Sequence, residues 1–511
     1  MDILRLLRFY VRKHLLLQDI DLRFDRPGRL DTGLYALDFL VGVNGSGKST
    51  LLRALVQIFY NLRNNQSNSF GFELEYLLGK NDTAQHVIIH CVIEEDKRVR
   101  QTMMVKSGDK IIYPESESID WNYLPKNVIV YSTGSETEWE KLLSNTEEEF
   151  IVENTAFKDV IDNATQRAII ELPGSMASAP PELGPDEYPP FWLMRSKNLP
   201  IITLCGLLTH LSAKEGLLTD VLSALKIQSI TGFSLRFRLH LQSSLSPLEE
   251  YVLLAPLATY GLQQGTDRLL YFDLESQPEL IGKLIEKITS GFELYRILER
   301  ISHNDANGTG QPTLQQVNIF MQRATQPVNE EEPAEGERTT IPNLFLLDWL
   351  SDGEQSFLGR MAMLAMLDTD DSLILLDEPE VHFNDYWKRE VVNLLDTVMS
   401  SHTNHLLITT HSSILLSDVT DDQITVLFKN DDGVSQQRRP GIKTFGADPS
   451  EIMTVVFQTD IPSGRLSTES LTVAITDGSK ETVEGYLQSV GPGMWRFRLK
   501  QRLGEIDASS D

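Results

Sequence analysis

Four short stretches of this chain hold the residue types that phosphate chemistry needs, and they follow one another in a fixed order. The first is "FLVGVNGSGKSTLLRALVQIFYNL", which contains Gly42-x-x-x-x-Gly47-Lys48-Ser49. Gly42, Gly45 and Gly47 let the backbone turn so that successive N–H groups converge on phosphate oxygens. Asn44, Ser46 and Thr50 complete the same nucleotide-binding cradle. The apolar FLVGV predicts a buried strand, and the spacing after the loop predicts a helix whose N-terminus adds partial positive charge. Lys48 is placed to bridge β- and γ-phosphates, and Ser49 to offer its hydroxyl oxygen to Mg²⁺.

The second stretch, "DSLILLDEPEVHF", reads as an internal parallel strand ending in two carboxylates. Acidic groups at the carboxyl end of such a strand lie where open α/β sheets bind ligands. Asp377 suits the Mg²⁺ shell as a second metal ligand beside Ser49. Glu378, one step on, suits a base that polarises water for in-line attack on a γ-phosphate. In the third, "HLLITTHSSILLSD", Leu406 to Thr409 reads as another buried strand. His411 follows its end, where an imidazole can hydrogen-bond the γ-phosphate or the attacking water.

The fourth, "LDWLSDGEQSF", places Ser351, Gly353 and Glu354 at a helix start expected near Gly353 or Glu354. A serine and free amides at a helix N-terminus make a second anion site. There is one phosphate loop, however, and two anion sites on one polypeptide do not face each other by accident.

In this order the stretches resemble the phosphate loop, signature, Walker B and switch histidine of ABC-type ATPase heads, especially the Rad50/SMC/RecF group. The resemblance implies an α/β fold: a two-lobed head of the P-loop NTPase class that binds ATP and Mg²⁺. It also implies that Ser351 touches a nucleotide held by a neighbouring copy, so the chain is at least a dimer, with a hexamer as an alternative. Asp352 stands where transporters carry Gly, and Asn384-Asp385 fits the D-loop pattern imperfectly. "NVIVYSTGSETEW" is similar to the YSTG segment of bacterial defence ATPases, which would put Tyr131 to Gly134 near the nucleotide. A surface turn after a strand is the other reading. "TFGADPSEIMTVVF" resembles a segment of Septu-type and restriction-associated ATPases, with a contact to a partner or second subunit as its implied role.

The elements between these motifs must account for 329 positions separating Lys48 from Asp377. No sustained heptads appear, and the prolines of "PGSMASAPPELGPDEYPPF" break any long helix, so no long coiled coil is expected. The reading is a lobe I over 1–149, a mostly helical insert with a mobile acidic loop over 150–340, a lobe II over 341–430, and a C-terminal contact segment over 431–511. "FSLRFRLHL" within the insert reads as a strand. The tail "GPGMWRFRLKQRL" has two readings: a docking patch for nucleic acid or a partner, and an edge strand or helix with a solvated basic face.

Composition bounds the rest. A chain of 511 residues exceeds one compact core. A net charge of −27 repels phosphate backbones at long range, so any nucleic-acid contact must use a local basic patch, and DNA is expected, if at all, through a complex. No stretch has the length of a membrane span, no secretory signal is apparent, and two cysteines exclude a Cys-rich zinc site. The expectation is a cytoplasmic ATPase subunit of an anti-phage defence complex, controlling a separately encoded nuclease of the HNH type. The alternative is a RecF/SMC-like repair ATPase that binds DNA directly.

Overall fold

The computed structural model describes residues 4–508 apart from 25–34, 80–83, 96–97, 134–135, 144–190, 214–215, 217, 240–248, 289, 304–312, 324–343, 368–369, 400–401 and 460–463. The acidic stretch "QPVNEEEPAEGERTT", expected to be a loop, and Gly134 lie outside the described residues.

The N-terminal Leu–Arg alternation makes a hairpin of β1 (Arg5–His14) and β2 (Leu17–Arg23), in which Leu6, Phe9 and Val11 are buried. From β1 an antiparallel meander continues through β4 (Phe72–Leu78), β5 (Gln85–Ile93), β6 (Val99–Ser107) and β7 (Lys110–Ser116). The other half of the sheet is parallel. It takes β17 (Ile424–Lys429), β3 (Ala36–Val41), β16 (His405–Thr410), β15 (Ser372–Asp377), β8 (Asn127–Ser132) and β9 (Phe191–Met194), in that spatial order. β3, β15 and β16 are buried at every position, as strands covered on both faces must be. Finally β18 (Ser435–Arg438) runs antiparallel to β17 and meets β2 at the Ser435–Leu17 pair, joining the halves into one 13-stranded sheet.

Two boundaries differ from the sequence reading. Phe191–Met194, assigned to the insert, is the edge strand of the large sheet beside β8. Ser435–Arg438, assigned to the C-terminal segment, is the strand that joins its halves.

The insert carries helices, as expected, and strands beyond the one read from FSLRFRLHL. A second, antiparallel sheet forms from β10 (Ile227–Arg238), β11 (Tyr260–Gln264), β12 (Asp267–Asp273) and β13 (Leu314–Arg323) of the insert with β14 (Leu344–Leu346) from just beyond its expected end, ordered β11-β12-β10-β13-β14. Gly265, at φ 61°, turns the β11–β12 hairpin. Phe233 and Phe272 stack at 4.4 Å across β10 and β12. Helices Leu199–Ser212 and Gly291–His303 pack with this sheet, and their apolar residues share one core with the parallel strands.

Leu199–Ser212 crosses the helix Asp352–Met366 at unusually close range. A Cβ on Gly206 would lie 2.1 Å from the Ala362 carbonyl oxygen, and one on Gly359 would lie 2.4 Å from Leu199 Cδ1. Backbone cannot step aside as a side-chain tip can. Gly206→Ala is therefore expected to destabilise the fold by about 1–3 kcal/mol, read as a lowered denaturant midpoint. An unchanged midpoint would mean that the crossing is loose.

The last three helices, Arg465–Asp477, Lys480–Ser489 and Met494–Ala508, have a small core of their own around Leu471, Val483, Trp495 and Leu499. The basic tail is thus a helix and not an edge strand. Trp495 faces that core while Arg498 and Lys500 are exposed. No described helix is long and apolar enough to cross a membrane.

Candidate active site

The parallel registers fix the site. Val41 pairs with Thr410, Thr409 with Asp377, and Asp377 with Ser132, so the carboxyl ends of β3, β16, β15 and β8 come level. The segments leaving these four ends are then necessarily adjacent, and they carry the phosphate loop, His411, Glu378 and Thr133.

The phosphate loop sits where only glycine fits at two positions. Gly42 has φ 152°, and a Cβ there would lie 2.1 Å from the Leu427 carbonyl oxygen. Gly47 has φ 104°, and its Cβ would meet Ser435 Oγ at 2.7 Å. Ser435 Oγ donates to the Ser46 carbonyl at 2.8 Å, so β18 supports the loop from below. Asn44 and Gly45 are exposed at the loop tip, whereas Ser46 and Thr50 are buried. Helix α1 (Lys48–Arg63) starts at the loop and buries Leu51, Leu55 and Phe59 along one face.

Lys48 Nζ donates to the Gly42 carbonyl at 3.0 Å and lies 2.6 Å from His411 Nε2. The same ring nitrogen is 2.8 Å from Glu378 Oε1. One nitrogen can accept from Lys48 or donate to Glu378, but not both, so the three side chains share one proton arrangement at a time. Burial lowers the Lys48 pKa, against the upward pull of Glu378, Asp377 and Glu380. The His411 hydrogen bond holds the Glu378 carboxyl below the ordinary carboxylate range. Glu378 itself takes the left-handed backbone, φ 53°, which costs a non-glycine residue about 1–2 kcal/mol. Its carboxylate meets the His411 ring, whereas that of Asp377 meets hydroxyls.

Asp377 is held by three hydroxyls from three segments: Ser49 Oγ at 3.1 Å, Thr409 Oγ1 at 2.6 Å and Ser132 Oγ at 3.4 Å. The Ser49–Asp377 pair presents hard oxygens beside the loop, a donor set that fits Mg²⁺. Thr133 Oγ1 donates to the Glu378 carbonyl at 3.1 Å. Of the two readings of the YSTG segment, its described part thus lies against the carboxylates rather than forming a surface turn.

The signature is built differently. Its helix begins at Asp352, one residue earlier than expected, with Ser351 as N-cap. Ser351 and Glu354 form a reciprocal capping box: the Ser351 amide donates to Glu354 Oε2 at 2.8 Å, and the Glu354 amide to Ser351 Oγ at 3.4 Å. The nearest atoms to a Cβ on Gly353 are His382 O and Trp387. Among the described residues, these signature contacts involve no residue of the phosphate loop. Asn384, at the D-loop position, caps the helix Asp385–Met399 by accepting from the Trp387 amide at 2.8 Å.

Sequence reading put Ser132 near the nucleotide within the YSTG segment but gave it no contact, and it missed Thr409, Glu380 and Arg360. Ser132 and Thr409 are ordinary hydroxyl residues, and only their places beside the strand ends could have flagged their bonds to Asp377. Arg360, on the signature helix and 4% exposed, donates to the Tyr131 hydroxyl at 2.7 Å and to the carbonyls of Pro379 and Val381. It also lies over the Phe383 ring at 4.9 Å. A lysine cannot serve three acceptors in this fork. Arg360→Lys is expected to cost about 1–3 kcal/mol by leaving buried acceptors unpaired, measured by equilibrium denaturation. A cost near zero would show that these bonds are made to water equally well.

The family described as "AAA domain, putative AbiEii toxin, Type IV TA system" matches residues 259–417, less than half of the chain. The match takes in the signature, the carboxylates and His411 but not the phosphate loop. No curated protein matches the chain. Among solved structures the chain is similar to the SMC head domain from Thermotoga maritima, at 13% identity and a TM-score of 0.33, over 86% of this chain and 100% of that one. It is also similar to an Smc head domain with an extended coiled coil bound to the C-terminal domain of ScpA, derived from Pyrococcus furiosus. There the identity is 12% and the TM-score 0.29, over 85% of this chain and 96% of that one. The chain has the mixed α/β fold of a P-loop ATPase, as expected from its motifs, with the phosphate loop seated at the carboxyl end of a parallel sheet.

Proposed function

We propose that the chain hydrolyses ATP in a composite site, each nucleotide held by the phosphate loop of one copy and closed over by Ser351, Gly353 and Glu354 of another. The observation that carries this reading is the signature's own set of contacts, which lie with Glu354, His382 and Trp387. Gly42 to Thr50 cradle the triphosphate, and Lys48 leaves His411 to neutralise its terminal phosphates. Ser49 and Asp377 would hold Mg²⁺, which would supply charge neutralisation for the triphosphate. Glu378 draws the proton from the attacking water, and His411, in reach of both Glu378 and Lys48, reports the state of the γ-phosphate.

Within the cell the reading is an ATPase subunit of a bacterial anti-phage defence complex that governs a separate nuclease. Its support is the resemblance carried by LSDGE, YSTG and TFGADPSEI, with the description of the matched family as a putative AbiEii toxin. The test is sedimentation of the purified chain with and without ATP, followed by recovery of its native complex. ATP-dependent pairing and a co-purifying nuclease are expected. Tight, salt-sensitive DNA binding by the chain alone would favour the RecF-like reading. A strictly monomeric ATPase would end the composite-site account.

A further inference from the structure

Beside the catalytic carboxylates lies a second glutamate to which ATP hydrolysis as proposed gives no task. Glu380 is 4% exposed. Its Oε1 accepts from the Thr410 hydroxyl and from the His411 amide, the latter at 3.3 Å. The Thr410 hydroxyl oxygen in turn accepts from the Ser412 amide at 2.9 Å, and Ser412 Oγ accepts from the Leu415 amide at 3.3 Å. The turn that carries His411 is thus clasped on both sides by bonds that start at Glu380. Its other oxygen, Oε2, is buried with no hydrogen-bond partner among the described residues. Burial pushes the Glu380 pKa up.

A buried carboxyl with one bare oxygen is a poor choice for stability, because an unmet acceptor costs about 1–3 kcal/mol. An apolar side chain of the same volume would fill the space at less cost. What it could not do is hold the end of β16. The His411 ring is partly exposed and its Nε2 has two close neighbours, Lys48 at 2.6 Å and Glu378 at 2.8 Å. Nothing on the ring itself fixes its backbone. Glu380 does.

We propose that Glu380 is a positioning residue for ATP hydrolysis, fixing the Thr410–Ser412 turn so that His411 meets Glu378 and Lys48 in register. The proposal rests on the reading in which His411 acts at the triphosphate. Misplacement by about 1 Å near reacting atoms costs on the order of 100-fold in rate. Loss of the clasp therefore lowers kcat by about 10- to 100-fold and leaves the KM for ATP near its original value, because the phosphate loop is untouched.

The experiment is a double-mutant cycle with steady-state ATPase kinetics on the full chain. Its variants are Glu380→Met, Glu380→Gln, His411→Ala and the Met/Ala double. Glu380→Met keeps the volume, so the site does not collapse. Glu380→Gln keeps an acceptor oxygen and is expected to restore most of the rate. In the His411→Ala background, Glu380→Met is expected to add no further loss, since the residue it serves has gone. Multiplying losses, a KM that rises in step with the fall in kcat, or no rescue by glutamine would each overturn the proposal. Wild-type turnover by His411→Ala alone would overturn the reading of His411 and this proposal with it.

Discussion

Glu378→Gln is expected to lower ATP turnover by about 10²- to 10⁴-fold while nucleotide binding survives. The amide matches the carboxylate in shape, so the left-handed turn at residue 378 and the bonds of its backbone to Thr409 and Thr133 persist. What is lost is the carboxylate oxygen beside the His411 ring. The glycine cradle, Lys48 and the Ser49–Asp377 pair are unaltered, so ATP still enters and stays. Single-turnover kinetics with labelled ATP, alongside gel filtration, checks both halves. The variant should hold intact ATP in a longer-lived associated state. Turnover within a few-fold of the unmodified chain would remove Glu378 from the role of base.

The second large effect is a recovery. Lys48→Ala and Ser351→Arg are each expected to be inactive alone, the first for lack of a phosphate ligand and the second for a blocked signature. Mixed in equal amounts, they should regain about one quarter of full activity. Random pairing makes half the dimers mixed, and each mixed dimer has one intact pocket of two. An active Ser351→Arg protein would show that the pocket is complete within one copy. Inactivity of every mixture would show that the two groups never meet across copies.

Much of the nucleotide end was legible because it is short-range. β3, β15 and β16 are runs of six buried residues, each ending on or just before a residue with chemistry. An apolar run with a Gly-rich loop or a carboxylate pair at its end has few other readings. The insert sheet was less legible. Every residue of β11 is exposed, so its strand identity comes only from pairing with β12, which no periodicity announces. The supporting residues were hidden for a different reason. Arg360 meets Tyr131 across 229 positions, and Ser132 meets Asp377 across 245. Neither residue type marks such a partnership in advance. Glu380 was visible inside DEPE but had no evident partner until β16 was laid beside β15.

Arg360 ties the helix behind Ser351 to the carbonyls of residues 379 and 381, which flank Glu380 just past Glu378 in the same copy. If copies pair as proposed, pressure on a signature would be felt at its owner's own Glu378. In a facing pair each copy would hold its neighbour's fuel and receive, through that grip, word of whether it is still whole. Two such engines would be geared together and would tend to idle or fire as one.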